Sequence, residues 1–309
     1  MVLLCERRII LPSMAGLNTG AWAALDGELA PLVGGNVAER RPVSGGCVSE
    51  SWHLVADRGE FFLKVGDPGG TESFEAEADG LAALAAGGVR TPAVLGCGET
   101  AGRGWLLLEY LPLRGLSSTG SARLGETLAA LHGAPGEQFG WHRDNFIGGT
   151  AQPNGVSDDW VAFYRERRLA PQLRLAATRG APRALAGRGA RLLERLPALF
   201  SGYRPHPALL HGDLWGGNAA ALPDGTPVLF DPAVYRGDRE ADLAMSELFG
   251  GFPPAFYAAY DAALPRDTGY TARRDLYHLY HLLNHHNLFG GGYGRQALAC
   301  CERLLAALG

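Results

Sequence analysis

The stretch HGDLWGGN occupies residues 211–218, and FDPA follows at residues 230–233. It therefore contains an Asp, four further residues, an Asn and, after a short hairpin, a second Asp that ends the apolar run VLFD. Transfer of a phosphoryl group requires such a set, because one carboxylate accepts the proton of the attacking hydroxyl while an amide oxygen and a second carboxylate hold Mg²⁺. The spacing therefore indicates phosphoryl-transfer chemistry.

A simpler interpretation of this stretch is a glycine-rich turn capped by Asp213 and Asn218, since Asp and Asn are common in turns. The second carboxylate, Asp231 at the end of a strand, favours the chemical interpretation because all three residues are needed together. The spacing also matches the H-R-D-x-x-x-x-N loop of kinases, with Gly212 in place of Arg.

Lys64 is the only lysine among the 28 basic residues of the chain. It lies in FFLKV, which has the alternation of a strand, and a helix is predicted from Glu72 to Ala86, ended by Gly87 and Gly88. At about 100° per residue, Glu77 lies in the same stripe as the apolar residues Phe74, Leu81 and Leu84. A buried carboxylate requires a cation, so the pattern predicts a Lys64–Glu77 pair; the alternative is that Glu77 reaches solvent at the edge of the stripe.

The turn SGGCVSE, residues 44–50, lies between two predicted strands, upstream of Lys64. Two glycines in a hairpin are ordinary turn residues. The position of Lys64 after them favours a loop that covers phosphates, with Gly45, Gly46 and Cys47 as the candidate contacts.

The composition excludes several classes of protein. In 309 residues, 47% are hydrophobic and 19% are charged, which excludes a disordered chain. No apolar run reaches the length of about 18 residues of a membrane-spanning helix. A net charge of −4 gives no general attraction for nucleic acid or anionic lipid, so neither partner is expected. The five cysteines are scattered without a C-x-x-C pair, which favours a reducing compartment and hence the cytoplasm.

The order of predicted elements indicates an α+β protein. Strands dominate up to about residue 113, and helices dominate afterwards apart from a hairpin near residues 218–231. Residues 179–190, RGAPRALAGRGA, are low in complexity and are expected to form a surface connection.

One predicted helix, DLYHLYHLLNHHNLFGGGY, carries His278, His281, His285 and His286. A zinc site is one interpretation, but His278 and His285 are about 10 Å apart along a helix and cannot share one ion. Buried, hydrogen-bonded histidines that line a pocket are favoured.

Several segments resemble the fructosamine kinase (ketosamine-3-kinase) family. They are HGDLWGGN, FDPAVYRGDREADLAMSELFGGF, LYHLLNHHNLFGGGY, FGWHRDNFIGGTAQPN and DDWVAFYRERRLAPQL. The resemblance extends from about Arg41 to the C-terminus. The chain departs from the family pattern at Ser49 and Trp52, where Asn and Tyr are expected, and at His286, where an apolar or aromatic residue is usual.

The resemblance implies a bilobal protein-kinase-like fold of the aminoglycoside phosphotransferase branch, with a small, mostly β N-lobe that has one main helix and a larger, mostly α C-lobe. It implies residues 26–113 as the nucleotide-binding N-lobe and 114–309 as the C-lobe, and residues 1–25 have no family counterpart. The implied roles are catalytic base for Asp213, metal ligands for Asn218 and Asp231, and a phosphate-orienting pair for Lys64 and Glu77. Adenine would contact the backbone of Glu109, Tyr110 and Leu111.

The activity that the resemblance implies is transfer of the γ-phosphate of ATP, with Mg²⁺, to the 3-hydroxyl of ketosamines. The 3-phosphate would then eliminate and free the amine, which repairs glycated small molecules or proteins. Candidates for the sugar pocket are Trp215, His285, Trp141, His142, Arg143, Asp144 and Asn145. The indole face of Trp215, two residues from the base, suits the apolar face of a sugar, and Asp242 is expected to brace the catalytic loop.

Two alternatives remain open on the sequence. Another small-molecule kinase of this branch, acting on aminoglycosides, choline or homoserine, would share the Asp-Asn-Asp set but not the WHRDN, ELFGGF and LNHHN segments. A pseudokinase that only binds nucleotide would be expected to lack one of Lys64, Asp213, Asn218 and Asp231, and all four are present.

Overall fold

The computed structural model describes residues 17–43 and 49–309. Its first part is a five-stranded antiparallel sheet of strand order β1-β2-β3-β5-β4, with one helix on each face. These elements are α1 (Thr19–Val33), β1 (Val37–Val43), β2 (Glu50–Ala56), β3 (Gly59–Pro68), α2 (Thr71–Ala86), β4 (Val94–Thr100) and β5 (Arg103–Glu109). The α+β class, with the sheet in the first part of the chain, is confirmed, but α1 adds a second helix to the one main helix that was expected beside this sheet.

Strand β3 has the alternation that the sequence predicts. Leu63 and Val65 are buried on the α1 face of the sheet, where they pack with Leu29 of α1. Phe62 packs on the opposite face against the cluster that contains Phe74 of α2. The alternation therefore points Lys64 toward α2.

Helix α2 is confirmed within one residue of its predicted start. The helix runs from Thr71 to Ala86, and Gly88 follows it at a φ of 87°. The predicted apolar stripe is buried: Phe74, Leu81 and Leu84 are at most 4% exposed. This burial directs the stripe, and Glu77 within it, toward the sheet.

The second part of the chain is mostly helical. Its elements are α3 (Ser118–Gly133), β6 (Asn145–Ile147), β7 (Thr150–Gln152), α4 (Trp160–Phe163), α5 (Ala170–Thr178), α6 (Arg183–Arg195), β8 (Ala208–Leu210), β9 (Ala219–Ala221), β10 (Pro227–Leu229), β11 (Tyr235–Gly237), α7 (Glu240–Leu248), α8 (Pro254–Ala263), α9 (Tyr270–Phe289) and α10 (Tyr293–Ala307). A π-helical turn, Tyr164–Leu169, joins α4 to α5. No helix in the described ranges has both the length and the apolar character to cross a membrane.

Two short strand pairs bring the HGDLWGGN and FDPA segments together. Strand β8 ends at Leu210 and pairs antiparallel with β11, in which Tyr235 lies opposite Leu210. Strands β9 and β10 form the predicted hairpin between the segments. Residues 211–218 follow β8, and residues 230–234 precede β11. Because β8 and β11 are paired, the two segments lie side by side, and this placement defines the candidate site.

The expectation for residues 179–190 is wrong. Helix α6 begins at Arg183, and its buried residues are Leu185, Gly189 and Leu192. This i, i+4, i+7 spacing is that of a helix face. The sequence does not show an apolar stripe there, because one of the three positions is a glycine in an Ala/Arg/Gly-rich segment. A Cβ at Gly189 would lie 2.8 Å from the side chain of Leu173, so the glycine allows α5 to pack closely.

Candidate active site

Lys64 lies between two carboxylates. Its Nζ donates a hydrogen bond to Glu77 Oε1 at 2.6 Å and a second, short one to Asp231 Oδ1. The side chain of Lys64 is 10% exposed and that of Glu77 is 15% exposed. The predicted Lys64–Glu77 contact is present, and the structure adds Asp231 as a second acceptor.

The two carboxylates keep Lys64 in its charged form. Burial opposes the ammonium form, but the carboxylates of Asp231 and Glu77 outweigh it and hold the pKa of Lys64 above its ordinary value. Burial also pushes the pKa of Glu77 upward, against the effect of the nearby ammonium. Because Lys64 stays charged in this pocket, Glu77 faces an ammonium group that favours its carboxylate form.

Asp242 holds the start of the catalytic loop, residues 211–218. Its two oxygens accept hydrogen bonds from the backbone N–H groups of His211 at 2.7 Å and Gly212 at 2.9 Å. The ring of His132 contacts the same carboxylate at 3.2 Å. Burial raises the pKa of Asp242, but these hydrogen bonds and charges outweigh it, and the net pKa is below the ordinary value. The predicted bracing of the loop by Asp242 is confirmed.

Gly212 is required by the backbone of this loop. Its φ of 81° lies in the left-handed region. A Cβ at this position would lie 2.0 Å from the carbonyl oxygen of Ala233. The two segments are also joined by a hydrogen bond from Ala233 N to His211 O at 2.8 Å. This close approach explains why glycine occupies the position of Arg in the H-R-D loop.

Asp213 and Asn218 lie together in the catalytic loop. The amide nitrogen of Asn218 donates to the backbone oxygen of Asp213 at 2.9 Å and to its carboxylate at 3.1 Å. Burial raises the pKa of Asp213 to about 7, the Asn218 hydrogen bond opposes the shift, and the negative charge of Asp231 adds to it. A carboxylate with a pKa near neutrality can exchange a proton at physiological pH.

Asp231 has the properties of a cation ligand. It is a non-glycine residue at a φ of 55°, and its side chain is 45% exposed. The amide nitrogen of Asn218 also points to the backbone oxygen of Asp231, at 3.4 Å, so the amide oxygen of Asn218 is the atom that could bind a cation. Within residues 17–43 and 49–309, no group of three or more His, Cys, Asp or Glu could hold a metal. Two oxygen donors completed by phosphate oxygens nevertheless fit Mg²⁺.

An aromatic cluster lies beside the catalytic loop. We define it as Trp215, Phe249, His285 and Tyr293. The ring of Phe249 lies edge-on to Trp215 at 6.3 Å and 4.5 Å from His285, which is 5.2 Å from Tyr293. Burial lowers the pKa of His285 and keeps its ring neutral. The structure thus brings together the predicted Trp215 and His285, and it adds Phe249 and Tyr293 from the ELFGGF and FGGGY segments.

The loop Trp141–Asn145 makes different contacts. Trp141 Nε1 donates to Asp79 of α2 at 2.7 Å, and His142 lies 3.3 Å from the same carboxylate. Arg143 lies 3.3 Å from Glu75 of α2.

The last two residues of this loop contact backbone and neighbouring side chains. Asp144 accepts from the N–H of Asn154 at 2.7 Å, and the 4%-exposed Asn145 donates to the backbone oxygen of Val234 at 2.7 Å. In the described part of the chain, no hydrogen bond, ion pair or ring contact joins residues 141–145 to Trp215 or His285. The structure therefore gives no contact that supports their placement in the sugar pocket.

The predicted nucleotide contacts lie at the end of the sheet. Strand β5 ends at Glu109, whose carboxylate accepts from Arg90 at 2.6 Å and from Ala93 N at 3.1 Å. The Arg90 hydrogen bond lowers the pKa of Glu109. Tyr110 stacks on His53 at 4.1 Å, and Leu111 continues toward α3. Gly45, Gly46 and Cys47 lie outside the described residues.

Of the four histidines of α9, His281 and His286 are buried, and His278 and His285 are half-buried. His278 contacts the backbone oxygen of Ala244 at 2.8 Å. Burial lowers the pKa of His281 to about 3. His286 is 5% exposed, and neither of its ring nitrogens has a hydrogen-bond partner, which departs from the expected hydrogen-bonded state.

The sequence of this chain matches a family of known proteins. The family model for fructosamine kinase matches residues 22–307. The chain is 45% identical over 291 residues to the probable ketoamine kinase of Synechocystis sp., covering 92% of this chain and 97% of the relative. It is 41% identical over 270 residues to the chloroplastic protein-ribulosamine 3-kinase of Arabidopsis thaliana, covering 86% and 82%.

Solved structures agree with the kinase-like fold. The crystal structure of a Haemophilus somnus protein assigned as a fructosamine-3-kinase matches with a TM-score of 0.85 at 29% identity, covering 93% of this chain and 98% of the other. An aminoglycoside phosphotransferase matches with a TM-score of 0.64 at 16% identity, covering 92% and 98%, and shares the fold. Together with the match over residues 22–307, these findings show that the chain belongs to the fructosamine kinase family.

Proposed function

We propose that this protein is an ATP-dependent kinase that phosphorylates the 3-hydroxyl of ketosamines of the ribulosamine and fructosamine type. The observation that carries the proposal is the position of Lys64 between Glu77 and Asp231, with Asn218 joining Asp231 to Asp213. This is the set of groups that phosphoryl transfer requires. The ketoamine kinase and ribulosamine kinase relatives supply the substrate class.

The nucleotide would lie between the sheet and the helical part. The compact ammonium of Lys64 would orient the phosphates, and the backbone of residues 109–111 would contact adenine. Gly45, Gly46 and Cys47 would cover the phosphates. Asn218 and Asp231 would hold Mg²⁺, which when bound neutralises charge on the transferred group.

The acceptor hydroxyl would donate its proton to Asp213. Burial raises the pKa of this carboxylate well above its ordinary value, so it retains proton affinity near neutral pH, which suits general-base work. The aromatic cluster would hold the apolar face of the sugar and so place the hydroxyl in line with the γ-phosphate. Elimination of inorganic phosphate from C3, followed by hydrolysis of the unsaturated sugar–amine adduct by water, would then free the amine of a small molecule or a glycated protein.

The test is ADP production measured side by side with ribulosamine, fructosamine, choline and an aminoglycoside. We expect turnover of the ketosamines, a product phosphorylated at O3 by NMR, and a preference for ribulosamine. Asp213→Asn should abolish turnover and still bind MgATP.

Phosphate on another hydroxyl, or turnover of choline or the aminoglycoside alone, would replace the proposal by another kinase of this branch. ATP binding without any turnover would indicate a pseudokinase.

Two further assignments remain proposals. The division into a segment 1–25, an N-lobe at 26–113 and a C-lobe at 114–309 follows the change from sheet to helices, although α1 and the family match both begin before residue 26. The cytoplasmic location depends on the scattered cysteines of the sequence alone.

A further inference from the structure

The segment from Gly140 to Asn154, which we name the bridging segment, contacts both halves of the candidate site. Gly140 exchanges two backbone hydrogen bonds of 2.8 Å with Arg236, and the side chain of Asn145 donates to the backbone oxygen of Val234 at 2.7 Å. Gln152 donates to Ala233 O at 3.2 Å. These contacts fix the bridging segment to the backbone that immediately follows Asp231.

The tip of the bridging segment contacts the helix that carries Glu77. The indole N–H of Trp141 donates to Asp79 at 2.7 Å, and His142 lies 3.3 Å from the other oxygen of the same carboxylate. Arg143 and Glu75 add an ion pair at 3.3 Å, but both side chains are at least 33% exposed, so this pair contributes little. Trp141–Asp79 is therefore the principal contact.

Helix α2 also packs directly on the same backbone. A Cβ at Gly80 would lie 3.1 Å from Pro232 and 3.2 Å from Val234, so the close approach of the helix to this backbone depends on glycine at this position. Asp79 and Gly80 lie within one turn of Glu77. A rotation or shift of α2 that withdrew Glu77 from Lys64 would have to break the Trp141–Asp79 hydrogen bond.

We propose that Trp141 is a positioning residue, which holds α2 through Asp79 so that Glu77 and Asp231 remain on opposite sides of Lys64. Kinases commonly regulate activity by moving the equivalent helix, because the Lys–Glu pair must form before transfer occurs. Here the bridging segment, which belongs to the same chain, fixes helix α2 to the backbone that follows Asp231, the proposed metal ligand. The contacts that hold the Lys64–Glu77 pair together thus come from within one chain.

The test compares the effect of Trp141→Phe on kcat in the wild-type protein and in a Glu77→Gln variant. Phenylalanine keeps the ring and removes the N–H, and a misplacement of about 1 Å costs about a hundredfold in rate. For the loss of one hydrogen bond we expect kcat to fall about tenfold, with KM for the ketosamine changed less than twofold. If Trp141 acts through Glu77, the same change in a Glu77→Gln background should lower kcat less than twofold.

A matched control separates positioning from loss of stability. Trp160→Phe removes another buried indole hydrogen bond, to Tyr277 at 3.2 Å in the helical core. It should lower the melting temperature at least as much as Trp141→Phe and change kcat less than twofold. Asp79→Ala, on the partly exposed face of α2, should reproduce the loss of kcat if Trp141→Phe fails to fold.

Hydrogen–deuterium exchange gives a readout that does not need turnover. The amides of residues 71–86 should exchange faster in Trp141→Phe and in Asp79→Ala than in the wild type and in Trp160→Phe. The inference depends on the proposed function only where activity is measured. An inactive wild type would refute the proposed function alone. Equal losses of kcat in both backgrounds, or unchanged exchange in α2, would refute the positioning role.

Discussion

Replacement of Gly212 by Ala should separate Asp213, the proposed base, from Asp231, the proposed metal ligand. The new Cβ would lie 2.0 Å from the carbonyl oxygen of Ala233, and real Cβ contacts essentially never fall below 3.0 Å. The catalytic loop and the 231–234 backbone must therefore move apart by about 1 Å. Because Asp213 and Asp231 lie on these two segments, we expect kcat to fall about a hundredfold.

The same change has a cost in stability that can be measured separately. Alanine in the left-handed region costs about 1–2 kcal/mol, and the overpacked contact costs about 1–3 kcal/mol more. Gly225→Ala is the matched control, because Gly225 has the same φ of 81° and its Cβ would meet only Arg123, at 3.7 Å. Gly225→Ala should therefore lose only the stability that alanine costs in the left-handed region, and it should keep the kcat of the wild type.

Steady-state rates of ADP release and chemical denaturation of the three proteins provide the measurement. A Gly212→Ala enzyme that is folded and retains kcat within threefold of the wild type would refute the reasoning. So would an equal loss of kcat in Gly225→Ala, since that result would assign the effect to backbone strain rather than to the contact with Ala233.

Three further changes have defined outcomes. Lys64→Arg should lose most activity and remain folded, because it keeps the charge facing Glu77 and changes the shape; activity within about threefold of the wild type would show that Lys64 does not take part. Trp215→Ala should lower kcat/KM for ketosamines and leave the affinity for ATP nearly unchanged in a binding titration; an equal loss of both would contradict a role in the sugar pocket. Burial lowers the pKa of His281 to about 3, against about 6.5 in an unfolded chain. The unfolded chain therefore binds this proton first, so the folded state keeps its full stability above about pH 6.5 and loses stability as the pH falls toward 3. Between pH 7.5 and 5, urea denaturation should show the wild type losing about 2 kcal/mol more than His281→Gln, and parallel pH profiles would exclude a buried neutral histidine.

Local patterns in the sequence were sufficient for the parts of the site that depend on one element. The helical period placed Glu77 among buried leucines, and the strand period turned Lys64 toward it. The spacing of HGDLWGGN and FDPA predicted a loop and a hairpin that the structure contains. Each of these predictions needs only the repeat of a helix or strand and the cost of a buried charge.

Contacts between distant parts of the chain were not predictable in this way. Lys64 and Asp231 are 167 residues apart, and Trp141 and Asp79 are 62 apart, so only the fold brings them together. The same holds for Phe249, which lies between two predicted pocket residues but carries no chemical signature of its own.

The burial of Lys64 has a consequence for the enzyme as a target of sugars. Reducing sugars attack neutral, accessible amines, and this chain has one lysine, which is buried and held in its charged form by two carboxylates. The arginines that form the surface ion pairs contain no ε-amino group to attack. A ketosamine kinase with this sequence thus presents no exposed lysine side chain of its own, and it can work among glycating sugars without becoming its own substrate through a lysine.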